Sequence, residues 1–416
     1  MSDFKLPLEG LKVVELSSFI SVATTGRFFA NLGADVIKVE AEKGDPERYG
    51  AVGENISSDP LENTTWELEN GNKRGLSINL KSEKGMEIMM KLLGSADIFI
   101  TNNRPQALKK LGLAYEDIKD KFPKLVYGIV TGYGERGPIA SVPGFDLTAF
   151  FSRGGYVNTM RQKDGLAFNM VPGLGDHNVG LNLAAACMAA LWKAQKTGVG
   201  DKVETSLYET AVFNMSMNVC AAQYPEIGMH FPINAYDNYN PCNSSFRTKD
   251  DKFIQMCFPQ YNLYFQRFIT ALGHPEMAED PKYFPQENML ANGLNREVYD
   301  IVTESFKTKT AAEWEEELTK ADVPFARCYA LEEIIEDEQA WANSIFVKHT
   351  FRNGNEKFLV NHPYRFESFG ESRVWDNRRA PDIGEHTPQI MKELGYSDDE
   401  IKSALDEKVA FQFLKA

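Results

Sequence analysis

An aspartate between glycine and histidine, Asp176, stands just before the longest apolar stretch of the sequence, residues 179–192. Asp is a favoured helix N-cap, and that structural role would account for the residue by position alone. The same position has a chemical use, because a helix N-terminus stabilises a carboxylate. A carboxylate flanked by Gly175 is accessible and can attack an acyl carbonyl. The sequence therefore predicts Asp176 as a candidate nucleophile at, or just before, a helix start.

The neighbouring His177 is the obvious candidate base, but a carboxylate nucleophile needs no deprotonation. We therefore expect His177 to be a structural residue or a contact of the substrate. No other histidine has metal-ligand spacing, and the cysteines form no CxxC pair, so no metal site is expected. Serine and cysteine residues show no nucleophile elbow either.

Gly132-Tyr133-Gly134 begins a GxGxxG pattern that follows a predicted strand and suggests a dinucleotide site. That interpretation requires a helix to start at the third glycine, Gly137, so that its N-terminus holds a pyrophosphate. Pro138 and the segment 141–144 follow instead, and these residues are typical of a loop. The context therefore disfavours a nicotinamide or flavin cofactor, although the glycines still allow close approach of a ligand.

Basic and polar side chains cluster beside predicted strands. The loops 70–73 and 102–104 end in Lys73 and Arg104, and Lys38 and Lys110 fall in the same alternating region. Ligands collect at strand ends in open α/β sheets, and such loops can attract an anion even in an acidic protein. We therefore expect Lys73 and Lys110 to contact phosphate groups of a ligand, although each basic residue alone could be surface solvation.

Short apolar strands alternate with amphipathic helices along the first ~200 residues, which predicts a parallel sheet covered by helices. The predicted strands are 13–16, 35–39, 76–80, 97–101 and 125–131, and the predicted helices are 21–32, 82–93, 105–111 and 115–121. Pro and Asn cluster at 225–241, and the alternation returns near Phe325. The predicted fold class is α/β, with a large open Rossmann-like domain (1–224 and 326–416) and a smaller α+β domain (225–325).

The chain has 416 residues, 59 acidic against 45 basic, and a net charge of −14, which disfavours nucleic-acid binding. No apolar run reaches the roughly 20 residues of a membrane span, and the N-terminus lacks a secretory signal. The five cysteines are scattered and odd in number, which indicates no disulfide framework. We therefore expect a cytoplasmic protein with no membrane partner.

The ordered motifs resemble those of the family III CoA-transferases, the group of formyl-CoA and carnitine CoA-transferases. The resemblance covers nearly the whole chain and is carried by segments 8–16, 32–40 with Gly44-Asp45, 72–74, 132–134, 175–176 and 200–203. Within the family, segments 63–70, 143–155 and 337–343 are most similar to the enzymes that act on 2-hydroxy acids such as phenyllactate and 2-hydroxyisocaproate.

The resemblance implies a CoA-transferase that moves CoA from an acyl-CoA to a 2-hydroxy acid, with CoA thioesters as substrates and no bound cofactor or metal. Asp176 would form a mixed anhydride while CoA is held and the acceptor carboxylate exchanges. It further implies an interlocked homodimer and a 2-hydroxyacyl-CoA dehydratase acting downstream in the amino-acid fermentation of an anaerobe. The CoA-binding residues expected from the resemblance and the basic loops are Ile20, Ser21, Lys38, Asn70, Gly71, Asn72, Lys73, Asn102, Asn103, Arg104, Lys110, Tyr133 and Gly134.

The chain also departs from the family. The glycine run of the formyl-CoA transferases is replaced by 257–262, a glutamine by Ile20 and an arginine by Ala41. Formyl or oxalyl substrates are therefore disfavoured, and Phe258 and Tyr261, with His177, are expected to line an apolar substrate pocket; the alternative is that 258–261 is a buried strand end. A bile-acid or carnitine-type transferase, an acyl-CoA racemase and a non-catalytic CoA-binding scaffold remain open.

Overall fold

The main sheet has seven strands, six of them parallel, because its strands are short apolar runs joined by helical crossovers. The structure, a computed structural model, describes residues 6–49, 59, 61–226, 230–367 and 378–413. The spatial order is β12-β3-β2-β1-β4-β5-β6, and only β12 runs antiparallel to its neighbour. The strands are β1 (Lys12–Leu16), β2 (Asp35–Glu40), β3 (Arg74–Ile78), β4 (Ile98–Thr101), β5 (Val126–Thr131), β6 (Lys202–Ser206) and β12 (Ala410–Phe411).

Helices lie between these strands and cover both faces of the sheet. In chain order they are α1 (Ser21–Asn31), α2 (Thr64–Asn70), α3 (Glu83–Gly94), α4 (Pro105–Leu111), α5 (Tyr115–Ile118), α7 (Leu174–Thr197) and α8 (Leu207–Asn214). Two short helices, α6 (Tyr156–Thr159) and α9 (Ser216–Ala221), belong mostly or wholly to the second of the two units described below. The predicted helices over 21–121 are thus confirmed, with their ends shifted by up to three residues. Loop residues follow Gly137, as expected, so no helix starts at the third glycine of the GxGxxG pattern.

Two buried layers hold the first part of the fold together. On one face, Val14, Ile37 and Phe99 pack against α3 and against the C-terminal helices α17 (Thr387–Glu393) and α18 (Asp398–Asp406). Successive strand residues point to opposite faces, and on the other face α1 and α7 pack against each other and against the strands. This second layer places the start of α7 at the end of the sheet where the strands finish.

The remaining elements form a three-stranded antiparallel sheet with helices and a separate hairpin. The sheet contains β7 (Ser245–Arg247), β8 (Phe253–Met256) and β9 (Phe325–Arg327), and the hairpin contains β10 (Phe346–Thr350) and β11 (Glu356–Val360). The helices are α10 (Tyr261–Ala271), α11 (Pro275–Ala278), α12 (Gln286–Ala291), α13 (Asn295–Phe306), α14 (Ala311–Lys320), α15 (Leu331–Ile335) and α16 (Glu338–Ala342). Strands β7 and β8 form an antiparallel hairpin around Lys249.

The chain divides into two compact units at positions that differ from the predicted boundaries. The first unit comprises Met1–Tyr156, Asn169–Met215 and Glu338–Ala416, and the second comprises Val157–Phe168 and Ser216–Asp337. The chain leaves the second unit after 337 rather than 325, because β9 pairs with β8 in the small sheet. No helix among the described residues is long and apolar enough to cross a membrane.

Candidate active site

A cavity of about 270 Å³ opens in the first unit where four parallel strands end, and Asp176 forms part of its wall. Segments that directly follow β1, β4, β5 and β6 supply most of the remaining wall, which is where open α/β sheets bind ligands. The lining residues are Ser18, Phe19, Ser21, Asn102–Gln106, Val130–Gly132, Ala140–Phe145, Asp176 and Leu207. Asp176 therefore lies in a concave site and not on an open surface.

The start of α7 positions Asp176. Gly173 is the N-cap residue, with φ of 88°, so Asp176 is the third residue of the helix and not its cap. A Cβ atom on Gly175 would lie 2.7 Å from Cγ of Phe150 and 3.0 Å from Cβ of Asp146, so only glycine allows this approach. The predicted place of Asp176 at a helix start is correct, and the N-cap interpretation is wrong.

Asp146 is a second carboxylate at this helix start, and we did not include it among the predicted site residues. Its Oδ2 accepts a hydrogen bond of 2.6 Å from the backbone N–H of Gly173. Asp146 is the first residue of a π-helical turn, Asp146–Ser152, and is almost fully buried. Burial raises the pKa of Asp146, although hydrogen bonds from backbone N–H groups oppose the rise. Asp146 thus holds the first turn of α7 and adds negative charge beside Asp176.

The pKa of Asp176 is raised to about 7, mainly by burial and also by the charges of Asp146 and Glu69, against the lowering effect of His177. This differs from the expectation that the helix N-terminus keeps the carboxylate readily ionised. The helix dipole is worth at most about 1–2 kcal/mol, which is less than the cost of removing a carboxylate from water beside another one. Asp176 therefore gains its charge only near neutral pH, and a carboxylate of higher pKa is the stronger nucleophile.

His177 does not line the cavity; its ring pairs with Glu69. The Nε2 atom lies 3.0 Å from Oε1 of Glu69, which is fully buried and also contacts Arg27 and Thr24. Burial alone would lower the pKa of His177, but the hydrogen bond and charge of Glu69 outweigh it and raise the pKa. Burial has the opposite effect on an acid and would raise the pKa of Glu69, yet His177 and Arg27 hold that pKa at about 2. The Glu69 carboxylate thus favours the charged form of His177, and that charge lowers the pKa of Asp176.

Four of the predicted CoA-binding residues line the cavity with Asp176: Ser21, Asn102, Asn103 and Arg104. The Asn102 side chain accepts a hydrogen bond from the Ser18 N–H at 3.0 Å and donates to the Ser18 carbonyl oxygen at 2.7 Å and to Ser21 Oγ at 3.2 Å. Arg104 is exposed at the start of α4. These residues give the cavity one polar wall with a cation at its rim.

Lys38 and Lys73 point into the protein instead. Lys73 Nζ is 2.8 Å from Glu15 Oε2 and donates to the carbonyl oxygen of Ala23 at 2.9 Å, and its side chain is fully buried. Lys38 lies inside β2, and its Nζ contacts Glu15 and Asp45 at 2.9 Å each. Burial lowers the pKa of Lys73 to about 8, because attraction by Glu15 does not make up for lost hydration. This placement argues against a phosphate contact for either lysine.

The loop 70–73 also lies away from the cavity, because it precedes β3, whereas residues 102–104 follow β4 at the end of the sheet where the cavity opens. Asn70 is buried and accepts a hydrogen bond from Lys73 Nζ, and Asn72 bonds with Asn31 and with the backbone of Arg378. A Cβ atom on Gly71 would lie 3.0 Å from the Glu67 carbonyl oxygen. The prediction that Asn70, Gly71 and Asn72 hold CoA finds no support in this geometry.

The other predicted contacts lie beside the cavity or apart from it. Ile20 adjoins Gly173, Tyr133 packs beside Gly144, and the Gly134 N–H donates to Thr131 Oγ1 at 3.0 Å. Lys110 is exposed near the end of α4, outside the cavity wall. None of these four belongs to the lining residues.

Phe258 and Tyr261 are buried in the hydrophobic core of the second unit, 0 % and 1 % exposed. Tyr261 also donates a hydrogen bond to the carbonyl oxygen of Tyr283 at 3.0 Å. These side chains already fill a core, so they offer no surface to a substrate. The prediction that they line an apolar pocket is therefore wrong, and the alternative of a buried segment is favoured.

Phe19 and Phe145 also line the cavity, and neither was among the predicted site residues. A signal was available for Phe145, since it lies in the segment Pro143–Asp146 that carries part of the family resemblance. Phe19 gave no local signal, because its position depends on contacts with distant residues. Among the described residues, no three His, Cys, Asp or Glu side chains are grouped so that they could hold a metal ion.

Comparison with known proteins agrees with this arrangement. The chain is 45 % identical over 399 residues, 96 % of each protein, to cinnamoyl-CoA:phenyllactate CoA-transferase of Clostridium sporogenes. It is 41 % identical over 403 residues to (R)-2-hydroxy-4-methylpentanoate CoA-transferase of Clostridioides difficile, covering 97 % of this chain and 99 % of that relative. A crystal structure of a CAIB/BAIF family protein from Brucella suis matches 94 % of this chain and 99 % of its own, with a TM-score of 0.78 and 26 % identity.

The family model of CoA-transferase family III matches residues 8–387, which include the whole parallel sheet except β12. The resemblance read from the ordered motifs is therefore confirmed, as is a mixed α/β fold with a large parallel sheet. From this match and from relatives that are 41 % and 45 % identical over nearly the whole chain, we conclude that the chain belongs to CoA-transferase family III.

Proposed function

We propose that this CoA-transferase moves CoA from an acyl-CoA to a 2-hydroxy acid, with Asp176 as the nucleophile. The observation that carries the proposal is the place of Asp176: it lies in the wall of a cavity at the strand ends, with its pKa raised to about 7. The names of the two relatives, which act on phenyllactate and 2-hydroxy-4-methylpentanoate, support the acid class.

In the first step, the Asp176 carboxylate attacks the thioester carbonyl of the acyl-CoA. The carbon–sulfur bond breaks, CoA leaves as a thiolate, and the acyl group remains as a mixed anhydride with the aspartyl side chain. The polar wall formed by Asn102, Asn103 and Arg104 is suited to bind CoA during this step. His177 in its charged form favours the ionised nucleophile.

In the second step, the acceptor carboxylate attacks the aspartyl carbonyl of the anhydride and releases the first acid. The new anhydride joins Asp176 to the 2-hydroxy acid. The bound CoA thiolate then attacks the carbonyl of the 2-hydroxyacyl group, which forms the product thioester and restores the Asp176 carboxylate. Over the whole cycle, one thioester is broken and one is formed, and the Asp176 carboxylate is regenerated, so no cofactor is consumed.

Hydroxylamine should trap the anhydride on Asp176. With an acyl-CoA present, it should convert the side chain to a hydroxamate, and peptide mass spectrometry should locate the added mass on the peptide that contains Asp176. The peptide that contains Asp146 is an internal control, because this carboxylate holds the Gly173 N–H and should stay unmodified. The yield should be zero with free CoA in place of acyl-CoA.

The rate of the first CoA release should rise as the pH increases through about 7, since only the ionised carboxylate attacks. Rapid quench and mass spectrometry of the intact acyl-enzyme measure this rate.

In the hydroxylamine experiment, labelling of another residue, or of none, would reject Asp176 as nucleophile. The same experiments separate the alternatives. An acyl-CoA racemase would exchange the α-proton of the acyl group without forming the Asp176 hydroxamate, and a non-catalytic scaffold would only bind CoA. A bile-acid or carnitine-type transferase would form the hydroxamate but would prefer a bile acid or carnitine as acceptor.

We also propose that the chain forms the interlocked homodimer expected from the resemblance. In the first unit, Trp192 on α7 and Phe213 on α8 are large apolar side chains left mostly exposed, which favours a protein contact. Sedimentation at low concentration should give twice the chain mass, and Phe213→Asp should weaken the association. An active monomer at all concentrations would contradict the dimer.

A further inference from the structure

Two exposed phenylalanines face each other in the wall of the cavity that contains Asp176. Phe19 and Phe145 are 42 % and 59 % exposed, and their ring centroids lie 5.9 Å apart at an interplanar angle of 83°. Both line the cavity, next to Val142 and Pro143. The cavity therefore has an apolar wall in addition to its polar one, and Phe258 and Tyr261 contribute nothing to it.

Phe19 is held in a conformation that a phenylalanine rarely adopts. Its φ is 61°, in the left-handed region, where the backbone of a non-glycine residue is strained. Its backbone N–H donates a hydrogen bond of 3.0 Å to Asp45 Oδ1, and buried Lys38 fixes Asp45 from the other side. On the preceding residue, Asn102 bonds to both the N–H and the carbonyl oxygen of Ser18. The Lys38–Asp45 ion pair and the hydrogen bonds that Asp45 and Asn102 make with this backbone thus hold Phe19 in a position where its ring stays exposed.

Phe145 is anchored from a different part of the chain. Its backbone N–H donates to Thr148 Oγ1 at 3.1 Å, and the next residue, Asp146, bonds to the N-cap of α7. Just before it, Gly144 is so close to Gly132 that a Cβ atom on Gly132 would lie 2.8 Å from the Gly144 Cα. The backbone that carries the Phe145 ring is therefore tied to the same helix start that carries Asp176.

We propose that Phe19 and Phe145 form the subsite for the apolar side chain of the substrate acid, an aryl or branched alkyl group, and so determine acid specificity. This inference rests on the proposed function. Aromatic edges and faces at these separations attract a third apolar group, and burial of such a group removes the exposed rings from water. An acid with a small side chain, such as lactate, leaves the subsite empty and gains nothing from it.

An internal competition tests the proposal. Wild-type enzyme, Phe145→Ala and Phe19→Gly receive one acyl-CoA donor and equal amounts of phenyllactate, 2-hydroxyisocaproate and lactate. Mass spectrometry of the CoA products then gives ratios of kcat/KM that depend neither on the folded fraction nor on the affinity for the donor. Glycine suits the left-handed φ at 19, so that variant removes the ring without adding strain.

Each variant should lower the ratio of phenyllactyl-CoA to lactyl-CoA about tenfold or more. Phe413→Ala is the matched control: this exposed ring of the first unit lies outside the cavity wall and should leave the ratio unchanged. A wild-type ratio in either cavity variant would overturn the subsite, and a wild-type ratio together with a raised Michaelis constant for acyl-CoA would assign the rings to CoA instead. Absence of all CoA products with the wild-type enzyme would reject the proposed function itself.

Discussion

Asp176→Asn should reduce CoA transfer by about 10⁴-fold or more, because an amide cannot form the acyl anhydride. The substitution keeps the shape of the side chain and removes only its charge. Binding of CoA, measured by calorimetry, should remain near the wild-type value, since the polar wall at 102–104 is untouched. Steady-state exchange between an acyl-CoA and a labelled acid provides the rate, and wild-type activity in this variant would contradict the mechanism.

The same variant should be more stable than the wild type at pH 8. The folded-state pKa of Asp176 is about 7, above its ordinary value of 3.8, so the fold binds this proton more tightly than the unfolded chain does. The stability of the wild type therefore falls as the pH rises from about 4 to 7, and Asn avoids that loss. The gain in melting temperature should be larger at pH 8 than at pH 5. Asp398→Asn, an exposed first-turn carboxylate of α18, is the control and should change neither stability nor transfer.

Lys73→Met should destabilise the first unit by about 3–5 kcal/mol, because it leaves the buried carboxylates Glu15 and Asp45 with one lysine instead of two. Urea titration gives the loss in stability, and hydrogen exchange of the peptides containing β1 and β3 should show where it falls. The Michaelis constants for acyl-CoA and free acid should change together, unlike those of a residue that binds phosphate.

Two further variants test the cause. Lys84 forms an exposed ion pair with Glu407, so Lys84→Met should cost less than about 1 kcal/mol. The double variant Glu15→Gln, Lys73→Met should cost less than the sum of its single variants, since it removes both partners of one buried pair. A selective rise in the Michaelis constant for acyl-CoA at wild-type stability would restore the phosphate role first assigned to Lys73.

The sequence determined most of the local structure of the first unit. Apolar runs such as 13–16 and 98–101 form strands, and the glycines and prolines between them mark where each element ends. Propensity and periodicity are properties of neighbouring residues, so they can be read without the fold. The start of α7 and the place of Asp176 in its first turn followed from the same local signals, and the ordered motifs identified the family.

The boundary between the two units required the tertiary structure. The strand at 325–327 has the composition of any short strand, and only its pairing with β8 assigns it to the second unit. The burial of Phe258 has the same origin, because an aromatic residue in a strand-like segment is equally compatible with a core and with a pocket wall. Its neighbours in the core come from helices that lie far along the chain.

The charges of the site were decided by contacts between distant residues. His177 and Glu69 are 108 positions apart, and Lys73 meets Glu15 across the sheet, so no spacing rule connects them. The sequence shows that Lys73 is basic, but only the fold shows whether its ammonium group faces a ligand or a buried carboxylate. The pKa of Asp176 depends likewise on burial and on the charges around it, and both come into being only when the chain brings these side chains together.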